Sequence, residues 1–213
     1  MTTKDENQPK TYLQALAAIG SLSKPSKMPG WGWSISAEDC ITGTKLRQVE
    51  GSTCSTCYAL KGRYGFQNVK DAHARRRAAL EGADFVDAFV AVLTRVYART
   101  ENPVFRWFDA GDLPHVEALE KIIEIARRTP HVQHWLPTRE LGIVRQVKTG
   151  FPDNLTVRLS APMIGQSITP LPGTTWSGVN VEGIATCPAP TQGNKCLDCR
   201  LCWSKEPVSY HLH

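Results

Sequence analysis

The sequence predicts an α/β fold: a partial (βα) barrel-like parallel sheet with an irregular cysteine-rich C-terminal extension. Strand-like and helix-like segments alternate after residue 104 with a repeat of about 25 residues, the length of a βα unit with short loops. Consecutive βα units form a parallel sheet with right-handed crossovers. The C-terminal residues lose this alternation and are rich in Pro, Gly, Thr and Ser. We therefore expect a polar tail and linker over 1–30, a partial-barrel domain over 31–160 and a cysteine-rich extension over 161–213.

The first part of the domain is predicted to hold one strand, one long loop and two helices. Residues 31–36 alternate large apolar with small side chains, which is the period of a strand. Residues 39–65 are rich in Cys, Gly, Ser and Thr and are predicted to form a long functional loop. A helical pattern covers 69–80. A clearer one covers 85–97, with one apolar stripe and Asp84 as its N-cap.

The alternation itself is predicted to consist of three strands and two helices. The strands cover 104–108, 131–136 and 155–159, and the helices cover 116–126, with Pro114 in the first turn, and 141–147. In a parallel sheet, the carboxyl ends of such strands lie along one edge, where ligand sites form in α/β sheets and barrels.

Polar side chains follow each of these three strands. Asp109 and Asp112 follow the first, Arg139 the second and Ser160 the third. We expect all four to line a pocket at the shared edge, with the two aspartates and the arginine as candidate catalytic residues. A structural interpretation competes: Asp112 as a helix N-cap ahead of Pro114, and the other charged side chains in a surface or structural ion pair.

Composition excludes several classes of protein. The chain has 213 residues, of which 41% are hydrophobic and 21% charged, as in soluble globular domains. It has no apolar run near the roughly 20 residues that span a bilayer, and its polar start has no secretory signal. The net charge of +5 is too small to make nucleic acid a favoured partner. We expect a cytoplasmic protein without membrane contact.

The sequence contains seven cysteines in two groups, and these are its main evidence for a metal or cofactor site. An odd number cannot pair completely, and a reducing cytosol disfavours structural disulfides. The second group has a ferredoxin-like C-x2-C-x2-C run preceded by one more cysteine: Cys187, Cys196, Cys199 and Cys202. Four grouped thiolates need a countervailing charge, which a metal supplies. An iron–sulfur cluster is the favoured ligand, and zinc is the alternative metal.

The first group consists of Cys40, Cys54 and Cys57. Three thiolates without an obvious fourth ligand suggest an open coordination position, as in a [4Fe–4S] cluster with one iron free for a small molecule. The alternative is that Cys40 is a buried apolar residue while Cys54 and Cys57 bind zinc with a histidine such as His73. Near the second group, His211 and His213 are further candidate ligands.

An ordered set of motifs resembles the gene-product-88 family of phage and plasmid proteins over nearly the whole chain. These are Cys54-x2-Cys57-Tyr58-Ala59, Gly62-Arg63-Tyr64, the segment Phe105–Asp112, the segment Trp135–Arg139, and the tail from Cys187-Pro188 through Cys196-x2-Cys199-x2-Cys202-Trp203 to Val208-Ser209-Tyr210-x2-His213. The resemblance implies a phage or prophage protein that works in the cytoplasm of the host cell.

A more distant resemblance is to radical S-adenosylmethionine enzymes, whose three cysteines lie in the loop after the first strand of a partial (βα) barrel. It implies a [4Fe–4S] cluster at the first cysteine group and an auxiliary cluster at the second. It also implies that Gly111 and Asp112 bind the methionine part of S-adenosylmethionine, with Ser160 in the same pocket. The spacing departs from the usual C-x3-C-x2-C, since thirteen residues separate Cys40 from Cys54.

Two other functions compete with that of a radical S-adenosylmethionine enzyme. A non-catalytic iron–sulfur protein would carry electrons or sense redox state with a partner protein, whereas the enzyme needs a small-molecule cofactor. A zinc-stabilised nucleic-acid binder would use the only dense basic run, Arg75-Arg76-Arg77. That run lies in a helical pattern, where such residues usually form a solvated face.

Overall fold

The computed structural model describes residues 11–212, so the first ten residues of the tail and linker expected over 1–30, and His213, lie outside the described residues. The helices are α1 (Tyr12–Ala18), α2 (Ile41–Leu46), α3 (Gln67–Leu80), α4 (Phe85–Val96), α5 (Val116–Arg128) and α6 (Leu141–Val144). The strands are β1 (Trp31–Trp33), β2 (Val104–Trp107), β3 (Gln133–Thr138), β4 (Leu155–Ser160), β5 (Thr175–Val179), β6 (Ala185–Thr186) and β7 (Val208–Tyr210). Short 3₁₀ turns cover Ala37–Asp39, Tyr58–Leu60, Gly62–Gly65, Ala189–Gln192 and Leu201–Trp203.

The strands of residues 11–212 form one parallel sheet in the order β1-β2-β3-β4-β5-β7-β6. The predicted α/β fold with a parallel sheet is confirmed. Strands β5, β6 and β7 come from the C-terminal extension, where the sequence predicts none. They are two to five residues long, too short for an alternating pattern to stand out.

Helices cover one face of the sheet and bury a core of aromatic side chains. Trp33 of β1 and Phe105 and Trp107 of β2 pack against Phe85 and Phe89 of α4, and all five are fully buried. Burial of each such ring stabilises the fold by about 1.5–3 kcal/mol. The apolar stripe predicted for α4 therefore has its expected role in the core.

The C-terminal segment packs on the opposite face of the sheet. Successive strand residues point to opposite faces, so this face carries Arg106 of β2, Trp135 of β3, and Thr156 and Arg158 of β4. The ring of Trp203 lies 5.4 Å from that of Trp135, and the Thr156 hydroxyl donates to the Trp203 carbonyl at 2.8 Å. The second cysteine group is thus fixed to the sheet.

The long loop predicted over 39–65 contains regular structure. Helix α2 and two 3₁₀ turns lie within it. Glu140, which directly follows the end of β3, accepts hydrogen bonds from the backbone nitrogen and the hydroxyl of Thr42, at 2.8 and 2.7 Å. This contact satisfies a free amide in the first turn of α2, and it joins residues 98 positions apart, which no local pattern can reveal.

Two further boundaries differ from the prediction. Helix α5 begins at Val116 with His115 as its N-cap, whose Nδ1 accepts from Ala118 at 3.2 Å, so Pro114 precedes the helix. Strand β3 continues past Leu136, although proline at position 137 disfavours a central strand. Pro137 nevertheless lies opposite Arg158 of β4 in the sheet.

Among residues 11–212, no helix has both the length and the apolar character that crossing a bilayer requires.

Candidate metal and cofactor sites

The first cysteine loop is tied to the carboxyl edge of the sheet by side chains that follow β3. Arg139 donates from Nη2 to the Thr53 hydroxyl at 2.6 Å, and the Thr53 backbone nitrogen donates to the Pro162 carbonyl after β4 at 2.9 Å. Glu140 holds α2 through Thr42. These contacts place the first cysteine loop beside the carboxyl ends of β3 and β4.

Replacing Glu140 with alanine should loosen α2 and lower the free energy of unfolding by about 1–3 kcal/mol, because a buried amide loses its acceptor. Glu140 is 5% exposed. Denaturant unfolding measures the loss, and amide hydrogen exchange over 41–46 should accelerate. The exposed Glu124→Ala is the matched control on α5. Equal stability of the two variants would contradict the assigned role of Glu140.

Asp109 lies at the end of β2 inside a ring of hydroxyl groups. Its carboxylate accepts from the hydroxyl of Ser34, after β1, and from the Tyr64 hydroxyl at 2.9 Å. Its carbonyl accepts from the Tyr58 hydroxyl at 2.6 Å. Burial, and then the negative charge of Asp109, raise the pKa of Tyr64. The tyrosines therefore bring the segment after Cys57 onto the strand edge.

Asp112 is buried and is not the helix cap that the structural interpretation proposed. One carboxylate oxygen accepts from Leu113 N at 2.8 Å and from the Thr138 hydroxyl at 2.6 Å, and the other accepts from Arg139 N at 2.8 Å. Burial raises the pKa of Asp112 to about 6, and these three hydrogen bonds oppose that shift. The carboxyl group can therefore exchange a proton near neutral pH.

The two other predicted cofactor-binding residues lie on the same edge. Gly111 has a φ of +76°, and a Cβ there would lie 2.5 Å from Ile35 Cγ1 and 2.8 Å from the Ile35 carbonyl oxygen. Glycine is thus required for the turn between the two aspartates and for its close approach to the chain after β1. Ser160 ends β4 opposite Ser177 of β5 and is half-buried.

The three thiols of the first group are neighbours. Their charges interact with one another, and Cys40 and Cys54 also interact with Asp112. Burial is the main cause that raises the pKa of Cys40 to about 12 and raises that of Cys54, which the nearby Arg139 opposes. Without a bound cation, Cys40 and Cys54 are protonated at neutral pH, which makes them poor nucleophiles.

Gly43 in α2 leaves open the space beside two of these sulfurs. A Cβ at Gly43 would lie 3.0 Å from Cys40 Cβ, 3.6 Å from Cys40 Sγ and 3.7 Å from Cys54 Sγ. Position 43 is buried, and glycine in a helix interior costs about 1 kcal/mol relative to alanine. The missing side chain therefore provides a cradle at the thiols, which suits a group bound between them.

Gly43→Val should fill this cradle and prevent a cofactor from occupying the first group. Gly142→Val in α6 is the matched control, because a Cβ there meets nothing within 4 Å. If both cysteine groups bind iron–sulfur clusters, the first variant, purified without oxygen, should contain only the iron of the second group, and the control as much iron as the wild type. Full iron content in folded Gly43→Val would show that the cradle is not needed.

The second group gathers around Cys187, which follows β6. Its charge interacts with those of Cys196, Cys199 and Cys202. Cys202 is 8% exposed, and burial raises its pKa to about 11. Its sulfur lies 3.3 Å from the Tyr210 hydroxyl, which can donate a hydrogen bond to a thiolate.

Arg158 fastens this segment to β4. Its side chain is fully buried, and its two terminal nitrogens donate to the carbonyls of Trp176, Leu201, Ser204 and Glu206 at 2.8–3.1 Å. Burial lowers the pKa of the guanidinium, whereas the charges of Tyr210 and Cys202 raise it. A buried cation therefore stands next to the second thiol group.

Both groups offer only thiols as ligands. A thiol must lose its proton to bind a metal, and the positive charge of the metal favours that loss. Among the residues that the structure describes, no group of three or more His, Cys, Asp or Glu side chains is arranged to hold a metal ion. His73 instead stacks on the ring of Tyr64, with 6.2 Å between centroids. Three or four thiols grouped in one part of the fold are the donor type that iron–sulfur clusters use, and at the first group Gly43 leaves space beside two of them.

Several residues of these sites were missed by sequence reasoning. Glu140, Gly43 and Tyr64 position or frame the first group, while Arg106 and Arg158 lie beside the second. Arg106 and Arg158 could have been found from the sequence, because they lie within strands. A positive charge in a strand covered on both faces needs an opposite charge or hydrogen bonds to compensate it. Nothing in the sequence pattern singles out Gly43, whose role depends on two sulfurs distant from it in the chain.

Comparisons with known proteins agree with one of the two resemblances. No curated protein and no solved structure matches the chain. The family described as gene product 88 matches residues 1–205, most of the chain. Because this match covers most of the chain, the protein belongs to the gene product 88 family.

Proposed function

We propose that the protein is an iron–sulfur protein with two cysteine-ligated clusters and that its chemistry is similar to that of radical S-adenosylmethionine enzymes. Cys40, Cys54 and Cys57 would hold a cluster with one open iron. The C-terminal cysteines (Cys187, Cys196, Cys199 and Cys202) would hold an auxiliary cluster. When bound, the open-site cluster and S-adenosylmethionine together supply a one-electron cleavage of the sulfonium.

The observation that carries this proposal is the position of the first thiol group. Three thiols lie at the carboxyl edge of a parallel sheet, the usual place of ligand sites in α/β folds. The charge of Asp112 interacts with Cys40 and Cys54, that of Arg139 interacts with Cys54, and Gly43 leaves space beside both sulfurs. A three-cysteine site at this edge has both the free coordination position and polar groups for a small-molecule cofactor.

The predicted catalytic residues then have distinct tasks. Asp112, with a pKa of about 6, would accept or release a proton near neutral pH. Arg139 would bind a carboxylate of the cofactor through its guanidinium, whose Nε is buried without a hydrogen-bond partner. Asp109 would order the tyrosines that cover the edge. Gly111 would let the chain turn, and Ser160 would line the pocket.

A non-catalytic electron-transfer or redox-sensing protein is the second candidate. The observation that favours it is the position of Cys196 and Cys199, which are half-exposed in an irregular segment. A cluster near the surface can exchange electrons with a partner protein without any small molecule. This function requires the same two cysteine groups but no role for Arg139 or Asp112.

A zinc-stabilised nucleic-acid binder has less support. Arg76, the middle residue of the basic run, is 6% exposed and donates to the Ser21 carbonyl at 3.0 Å. Arg77 pairs with Glu81. The run therefore does not present three free cations to a phosphate backbone.

A cytoplasmic location, in the host cell if the protein is phage-encoded, belongs to the same proposal. All seven cysteines are free thiols, which suits a reducing compartment. The clusters of such a protein would be loaded there.

Purification without oxygen, followed by iron, sulfide and zinc analysis, tests the proposal. We expect iron and sulfide in the amounts of two clusters, and 5′-deoxyadenosine after S-adenosylmethionine and a reductant are added. Intact clusters that undergo reversible reduction without any cleavage product would favour the electron-transfer protein instead. Zinc without sulfide would contradict both the radical S-adenosylmethionine enzyme and the electron-transfer protein.

A further inference from the structure

Cys54 and Cys57 form a C-x-x-C pair whose two ends are joined by one tight turn. The Cys57 backbone nitrogen donates to the Cys54 carbonyl at 3.2 Å, and Ser55 and Thr56 are the central residues of the turn. The Cα atoms at the ends of such a turn lie less than about 7 Å apart. Disulfides join Cα atoms about 4.4–6.8 Å apart, so the backbone brings this pair within disulfide range.

Hydrogen bonds on its N-terminal side hold the turn in this conformation. The Ser55 backbone nitrogen donates to the Ser52 hydroxyl at 3.1 Å, and the Ser55 hydroxyl donates to the Ser52 carbonyl at 2.7 Å. Thr53, directly before Cys54, is tied to the carbonyl of Pro162 and to the guanidinium of Arg139. The pair is therefore preorganised, and closing a bond between its sulfurs does not require the turn to form first.

The two thiols differ in their access to solvent. Cys54 is 8% exposed, whereas Cys57 is half-exposed, and both are free. Their charges interact with each other, and Cys54 also interacts with the positive charge of Arg139. Thiol–disulfide exchange uses one thiol that a reagent can reach and a second thiol that displaces the reagent from the first. Exposure assigns the first task to Cys57 and the second to Cys54.

We propose that Cys54 and Cys57 are a redox-active dithiol that exchanges with small-molecule disulfides of the glutathione class and closes an internal disulfide. The Cys57 thiolate attacks one sulfur of the small disulfide, so that a mixed disulfide forms and one thiolate leaves. The Cys54 thiolate then attacks the Cys57 sulfur and releases the second thiolate. The protein loses two electrons and two protons, and the small disulfide is reduced to two thiols.

This activity needs no metal and goes beyond the proposed function. The same two sulfurs cannot hold a cluster and a disulfide at the same time, so the two states exclude each other. Iron and sulfide analysis of protein prepared without oxygen tests the cluster, whereas the exchange is tested on protein treated with a chelator and a reductant. Failure of one of these tests leaves the other unaffected.

The full chain, reduced and treated with a chelator, is equilibrated without oxygen in glutathione buffers of increasing oxidised fraction. The remaining thiols are alkylated, and the peptides are mapped by mass spectrometry. We expect a Cys54–Cys57 bond, a loss of two alkylated thiols in that peptide, and recovery of both after a reductant is added. Two alkylated thiols at every glutathione ratio, or a bond from either residue to a different cysteine, would overturn the proposal.

Single variants test the two roles. Cys54→Ser should accumulate glutathione on Cys57, because the thiol that displaces it is missing, whereas Cys57→Ser should take up far less at the buried Cys54. Cys199→Ser, which breaks the C-x-x-C pair of Cys196 and Cys199, is the matched control and should close the Cys54–Cys57 bond as the wild type does. Equal uptake in the first two variants would overturn the assigned roles, and the wild-type peptide map decides the bond itself even where a variant does not fold.

Discussion

Arg158→Met is expected to release the C-terminal cysteine segment from the sheet and to lower the free energy of unfolding by about 3–5 kcal/mol. Four carbonyl groups, including those of Leu201, Ser204 and Glu206, lose their common donor. Methionine fills much of the volume but cannot donate a hydrogen bond, so these buried acceptors remain unpaired. Denaturant unfolding and limited proteolysis within 187–206 measure the two effects.

Arg128→Met is the matched control for this change. Arg128 pairs with Asp87 at 2.7 Å on the surface, where both side chains are exposed to solvent, and such pairs contribute about 0–1 kcal/mol. If Arg158→Met unfolds at the same denaturant concentration as Arg128→Met and resists protease equally, Arg158 does not hold the segment.

The second large effect is expected at Cys54. Under the proposed function, Cys54→Ser should remove the first cluster and with it about half of the iron and sulfide, since a hydroxyl is a poor substitute for a thiolate ligand of iron. Cleavage of S-adenosylmethionine should disappear, while the absorbance of the C-terminal cluster remains. Metal and sulfide analysis of protein prepared without oxygen makes the measurement.

Cys199→Ser serves as the reciprocal variant. It should lose the other half of the iron and retain the first cluster, since the two thiol groups occupy separate parts of the sheet. Loss of all iron in either single variant would mean that one site, not two, binds metal. Unchanged iron in both would contradict the assignment of these cysteines as ligands.

Much of the fold could be predicted because its signals are local. The period of strands and helices between 104 and 160 depends on neighbouring residues, and the stripe on α4 follows from helical spacing. These patterns also placed Asp109 and Arg139 at one edge, since parallel strands share their direction. Grouping of cysteines along the chain similarly marked both candidate sites.

The remaining features depend on contacts between distant segments. Strands β5, β6 and β7 are short and form where the sheet offers unpaired partners, so their sequences alone give no alternation. Helix α2 depends on Glu140, 98 residues from Thr42. The N-cap of α5 is His115 rather than Asp112, because Asp112 accepts from groups on β3 and after it.

By itself, the amino-acid sequence determined the α/β class, the grouping of the cysteines and the strand edge shared by Asp109, Asp112 and Arg139. Only the tertiary structure decided that the C-terminal cysteines pack on the sheet face opposite the helices, and that Arg106 and Arg158 lie beside them. The reason is physical: periodicity follows from backbone geometry between near neighbours, whereas the compensation of a buried charge depends on whichever groups folding brings next to it.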